Sequence, residues 1–182
     1  MNGSIDLQDK QTILIVDDTP DNISLLAALL KGKYKIKIAT NGLKALQIAA
    51  HPPYPDLILL DVMMPELDGH ETCRRLKSNP DTADIPVIFL TAKSQVEDEE
   101  MGLNLGAVDY IAKPISPPIV FARVANQLSL KNKREKILYL NKQTRKIENF
   151  KSKSKPSHDF HLVTLNLKSN YFNTSVNLIQ IN

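Results

Sequence analysis

Short apolar runs alternate with longer stretches of helical spacing along the first 128 residues. The runs Thr12–Val16, Tyr34–Ala39, Asp56–Leu60, Val87–Leu90 and Val108–Ile111 predict strands. The stretches Asp21–Leu30, Gly42–Ala50, Gly69–Lys77, Gln95–Leu105 and Pro117–Leu128 predict helices. The first, third and fourth runs are almost continuously apolar, as strands covered on both faces must be. Five β–α repeats predict a parallel sheet with helices on both sides. The punctuation agrees. Pro20 suits the first turn of a helix, and Thr40-Asn41-Gly42 turns into the second one. His51-Pro52-Pro53-Tyr54-Pro55 cannot remain helical. Pro80 and Pro86 bracket a loop, and Gly106 stands where a helix C-terminal glycine would.

Beyond Leu128 the pattern changes. Lys131 to Phe150 holds no proline or glycine and is expected to prolong the last helix. Ile137, Leu140, Thr144 and Ile147 form a short a/d seam that covers too few heptads to define a coiled coil. Lys151 to Ser157 reads as a flexible linker. In the tail, Val163, Leu165 and Leu167 alternate, as do Val176 and Leu178, which allows one or two short strands but no independent core. The expected division is a core domain over 11–130, a basic helical extension or linker over 131–155, and a tail over 156–182 without a recognisable output domain.

Charge sharpens that division. Met1 to Leu130 carries 12 Lys/Arg against 17 Asp/Glu, whereas Lys131 to Lys155 carries 10 against 2. Such a segment can meet acidic partners, although a solvated helix face is its ordinary reading. With 42% hydrophobic and 24% charged residues the composition is that of a globular protein. The single cysteine, Cys73, excludes an intramolecular disulfide and suits a reducing compartment. The N-terminus lacks a signal-peptide pattern, and the apolar runs are strand-sized. The expected location is the cytoplasm, without membrane contact.

In a parallel sheet the strand C-termini open on one edge, where ligands bind. Asp17 and Asp18 follow the first run, Asp61 the third, Thr91 the fourth and Lys113 the fifth. Three carboxylates, a hydroxyl and an ammonium are therefore expected to converge. Singly, an acidic pair is ordinarily a loop or cap charge; the convergence is what marks a site. Three carboxylates make a hard, oxygen-rich set that suits Mg²⁺, an ion that takes few protein ligands and keeps waters and phosphate oxygens. A carboxylate in such a set can act as a nucleophile toward phosphorus, and an ammonium can hold the phosphoryl oxygens.

Four segments carry a resemblance: Ile13-Leu-Ile-Val-Asp-Asp18; Leu57-Ile-Leu-Leu-Asp-Val-Met-Met-Pro65 with Asp68-Gly69; Val87-Ile-Phe-Leu-Thr-Ala92; and Gly106-Ala-Val-Asp-Tyr-Ile-Ala-Lys-Pro114. Asp61, Thr91 and Lys113 lie 44, 74 and 96 residues after Asp17. Over residues 11–130 the chain resembles a two-component response-regulator receiver, most like those found ahead of HD-GYP phosphodiesterase, diguanylate cyclase or histidine kinase modules. The resemblance implies a flavodoxin-like (βα)5 three-layer sandwich, its parallel sheet ordered 2-1-3-4-5. It implies that Asp61 accepts a phosphoryl group. Mg²⁺ would be held by Asp18, Asp61 and the backbone carbonyl of Met63, with Asp17 holding metal-bound water. Thr91 and Tyr110 would carry the switch beside Lys113, and Met63 and Lys93 would tune the phosphoryl lifetime. In the family the Lys113-Pro114 bond is often cis.

The implied partners are a sensor histidine kinase or phosphotransfer protein and an unknown downstream protein. The first helix, around Ser24, Ala27 and Ala28, would meet the kinase. A homodimer would use either the face of the fourth helix, fifth strand and fifth helix or the C-terminal helix. The chain itself would not be an enzyme beyond accepting and slowly losing the phosphoryl group. Two other readings compete with this one. A haloacid-dehalogenase-type phosphatase needs Asp-x-Asp after the first strand, where this chain has adjacent Asp17-Asp18. A truncated cyclic-di-GMP regulator would act only as a binding module; no Gly-Gly-Asp-Glu-Phe follows the helix. Without a helix-turn-helix pair, no specific nucleic-acid binding is expected. Cys73 reads as a small apolar residue, His51 and His70 as surface residues, and His158 and His161 as a chance pair.

Overall fold

Side chains alternate across a strand, so a strand buried on both faces feeds two cores. The computed structural model, which describes residues 10–92 and 104–153, has this division. Strands β1 (Thr12–Val16), β2 (Lys35–Ala39), β3 (Leu57–Asp61), β4 (Val87–Ala92) and β5 (Asp109–Lys113) form one parallel sheet in the order β2-β1-β3-β4-β5. The described helices are α1 (Pro20–Leu30), α2 (Gly42–Ala49), α3 (Gly69–Ser78) and α4 (Pro117–Lys153). Ile13, Ile15, Leu57, Leu59, Ile88 and Leu90 pack with Ile23, Leu26 and Leu30 of α1 and with Val120, Val124 and Leu128 of α4. Leu14, Val16, Ile58, Leu60, Val87 and Phe89 pack with Ala45 and Ala49 of α2 and with Cys73 and Leu76 of α3. This is the expected flavodoxin-like arrangement. Burial pushes the Cys73 thiol up to about 11, which suits its apolar role.

Local chemistry explains the boundaries. Asn41 caps α2 by accepting from the Lys44 N–H at 2.8 Å, and Asp68 caps α3 by accepting from the Glu71 N–H at 2.7 Å. Lysines at 35 and 37 guard the edge strand β2. Asp61, Thr91 and Lys113 belong to the last residues of their strands rather than following them. Backbone pairing continues past the last apolar residue: Asp61 stands beside Leu90, and the Val62 N–H donates to the Leu90 carbonyl at 3.1 Å.

The chain divides into two compact units between Lys133 and Arg134. The first holds the sheet. The described part of the second is helical, with Ile137, Leu138 and Tyr139 exposed. The helix runs to Lys153, past the expected start of the linker at Lys151, because no proline or glycine interrupts it. The expected helix Gln95–Leu105 falls outside the described residues except at its last two positions, and the tail with His158 and His161 falls outside them entirely. Among the described residues no helix is long and apolar enough to cross a membrane.

The loop from β3 to α3 folds tightly onto the strand end. The Gly69 N–H donates to the Val62 carbonyl at 2.9 Å. A Cβ on Gly69 would meet the Asp61 carbonyl oxygen at 2.2 Å and the Val62 Cα at 2.7 Å, both backbone atoms that cannot swing away. Gly69→Ala should therefore destabilise the fold by about 1–3 kcal/mol, read as a lowered urea midpoint. An unchanged midpoint would show that the loop accommodates a side chain.

Candidate functional site

Parallel register brings the site together. Val16 pairs with Leu60, so the next residues, Asp17 and Asp61, stand side by side at the strand ends. One carboxylate oxygen from each of Asp17, Asp18 and Asp61 lies within 4.8 Å of the others. Asp17 is fully buried and Asp61 is 3% exposed, whereas Asp18 is exposed. Lys113, ending β5, reaches across the sheet edge. Its Nζ donates to Asp61 Oδ1 at 2.8 Å and to Asp17 Oδ2 at 3.1 Å.

Burial sets the electrostatics. Removal from water raises the Asp61 carboxyl above its ordinary range; the Lys113 hydrogen bond opposes this, while Asp17 and then Asp18 add to it. Burial alone would lower the Lys113 ammonium, but its hydrogen bonds to Asp61 and Asp17 outweigh that and leave it raised. The two partners thus move the same way for different reasons: desolvation prevails on the carboxylate, pairing on the ammonium.

Asp17 is held by more than Lys113. Its Oδ1 accepts from the Thr19 N–H at 2.9 Å, and the Asn22 amide donates to Oδ1 at 3.1 Å and to Oδ2 at 3.0 Å. Asn22 was not singled out in the sequence. Its signal is a polar residue at the start of the inward face of α1, one turn before buried Leu26 and two before Leu30. His70 also departs from expectation. It is half-buried rather than a surface residue; its ring meets Phe89 edge-on at 5.2 Å, and its Nε2 is buried without a hydrogen-bond partner among the described residues. The position follows Gly69, where the chain is drawn against the sheet.

Of the other expected site residues, Thr91 is 3% exposed at the end of β4. Tyr110 is half-buried, packed against the layer of α2 and α3. Met63 is 65% exposed. Lys93 lies outside the described residues. The Lys113-Pro114 bond is cis, as is Pro52-Pro53.

The three carboxylates offer only hard oxygen donors, which fit Mg²⁺ and similar cations rather than softer metals.

Known proteins share the sequence and fold of the sheet-bearing part of the chain. The family model of the response regulator receiver domain matches residues 13–125. A probable cyclic di-GMP phosphodiesterase from Vibrio cholerae is 52% identical over 130 residues, which are 71% of this chain and 29% of that protein. The response regulator PleD of Caulobacter vibrioides is 47% identical over 113 residues, 62% of this chain and 25% of that protein. The chain thus spans between a quarter and a third of the length of these two relatives. Among solved structures, the receiver domain of a sensor histidine kinase from Pseudomonas aeruginosa PAO1, with a magnesium ion coordinated in its active site cleft, aligns with TM-score 0.61 and 30% identity, covering 66% of this chain and 98% of that one.

The raised Asp61 carboxyl ties stability to pH. The folded state holds this proton more tightly than the unfolded state does, so the associated stability is present below the ordinary carboxylate range and is lost as pH rises through the folded pKa. In metal-free buffer Asp61→Asn should melt a few degrees above the wild type at pH 7, and the gap should close as the pH falls to about 4. An Asn variant that melts lower at pH 7 would contradict this electrostatic account.

Proposed function

The chain belongs to the response regulator receiver family, and on that premise we propose that it accepts a phosphoryl group on Asp61 from a histidine kinase or phosphotransfer protein and changes shape to control a partner. The observation that carries this reading is the Lys113 ammonium bound to both Asp17 and Asp61, with Asp18 close enough to complete a three-carboxylate set. In this reading Asp18, Asp61 and the Met63 carbonyl would hold Mg²⁺, with Asp17 beside them; when bound, the ion would supply positive charge against the carboxylates and the phosphoryl oxygens. An Asp61 carboxylate oxygen forms a bond to phosphorus while the bond from phosphorus to the donor breaks, and the donor keeps that electron pair. Lys113 then exchanges one carboxylate contact for a phosphoryl oxygen.

The new group brings about −1.5 to −2 charges and fresh acceptors. Thr91 donates its hydroxyl to them, and Tyr110 turns with the rearranged strand end. The equilibrium shifts because these contacts differ between two states. Chemistry other than this self-directed step is not assigned to the chain. The 52% identity to a probable cyclic di-GMP phosphodiesterase supports a partner or output in cyclic-di-GMP signalling. Met63, apolar and exposed two residues past Asp61, offers hydrolytic water no hydrogen bond. The phosphoryl group is therefore held long, and Met63→Gln should shorten its lifetime several-fold.

Intact mass after incubation with Mg²⁺ and acetyl phosphate tests the reading. One phosphoryl group should appear on the wild type, and none on Asp61→Asn or in the presence of a chelator. Label that persists on Asp61→Asn, or a folded wild type that never takes label, would overturn it. A chase without donor then reads the lifetime; equal decay in wild type and Met63→Gln would remove the role given to Met63.

A further inference from the structure

Tyr110 has a neighbour that the switch described above does not use. It is the second residue of β5, beside Phe89 in register, on the strand next to the one that carries Thr91. Arg123 of α4 lies over its ring, the guanidinium carbon 5.3 Å from the centroid. Arg123 directly precedes buried Val124 and follows buried Val120 by three residues, so its backbone is fixed against the sheet. Its guanidinium is in turn ion-paired with Asp109, the residue just before Tyr110. Asp109 is well held: its side chain is 14% exposed, its Oδ1 accepts from the Tyr110 N–H at 2.8 Å, and Gln127 donates to its Oδ2 at 3.5 Å.

From this geometry we propose that Arg123 is a positioning residue for the switch: together with Asp109 it forms a latch that holds the Tyr110 ring where it stands while Lys113 binds the Asp61 carboxylate. The proposal deepens the receiver reading and rests on it. A cation over an aromatic face is attracted by the ring. Turning the ring gives up that contact, but it leaves the Arg123–Asp109 pair intact, since both partners sit on elements packed in place. The contact to the ring therefore differs between the two states and biases their equilibrium, whereas the ion pair serves to hold the guanidinium in position. An ordinary surface ion pair would contribute little and would be indifferent to the residue at 110.

The test is the rate of phosphorylation by acetyl phosphate with Mg²⁺, measured for the wild type, Arg123→Met, Asp109→Asn, Tyr110→Leu and the Arg123→Met/Tyr110→Leu pair. Thermal melts establish that each is folded, and the uncharged Arg123→Gln replaces Arg123→Met if the latter is not. Loosening the latch should raise the rate about two- to five-fold in Arg123→Met and Asp109→Asn, the scale of a partly exposed cation–π contact. In the Tyr110→Leu background the Arg123 substitution should have no further effect. An unchanged rate in folded Arg123→Met, or an equal change whether residue 110 is Tyr or Leu, would overturn the latch and leave the pair structural. A wild type that takes no label fails the receiver reading itself and removes the latch with it.

Discussion

One ammonium between two buried carboxylates is the constraint around which this fold is arranged. Asp17 and Asp61 sit side by side at the ends of adjacent strands, out of water, with Asp18 close by. Burying charge without compensation is costly, and removing one partner of such a pair leaves the other exposed to that cost. Lys113 answers it from the far edge of the sheet, because β5 runs two residues past the level of Asp61 and its long side chain reaches back across the strand ends. Asn22 and the Thr19 N–H satisfy the remaining oxygen positions of Asp17. Gly69 lets the next helix close against the Asp61 backbone. The two apolar layers make the strands rigid enough to hold these groups in place.

The same arrangement keeps charge in reserve. The Asp61 carboxyl remains raised despite the ammonium, so desolvation is only partly compensated. A second cation, or a phosphoryl group that takes over the contact to Lys113, finds groups already oriented and short of partners. In the function proposed above, that shortfall is what a divalent cation or a phosphoryl group would fill.

Much of this was legible in the sequence for a physical reason. The nearly continuous apolar runs at β1, β3 and β4 could only be strands covered on both faces, and parallel strands place whatever follows them on one edge. That logic puts Asp17, Asp18, Asp61, Thr91 and Lys113 at one edge of the sheet, and the three carboxylates and Lys113 meet there. What it missed are residues whose role depends on direction rather than order. Asn22 and Arg123 lie within helices, where only knowledge of which face is turned inward distinguishes them from solvated polar residues. His70 read as a surface residue because nothing in its spacing reveals that the loop draws it onto Phe89. The ends of β1 and β2 stand where the pattern puts them, whereas β3, β4 and β5 run one or two residues further, since backbone pairing is blind to the switch from apolar to polar side chains. The helix α4 likewise runs past the expected linker start, because the serines there lower helix preference without forbidding it and the lysines favour it.

Lys113 acts as a resident counter-ion among the carboxylates that we propose hold a divalent cation. Calorimetric titration with Mg²⁺ tests it most directly, on the wild type, Asp18→Ala and Lys113→Ala. The account predicts one saturable site in the wild type and its loss in Asp18→Ala. In Lys113→Ala, where the competing positive charge is gone, binding should tighten by about tenfold or more. No saturable binding in the folded wild type, or weaker binding in Lys113→Ala, would contradict it.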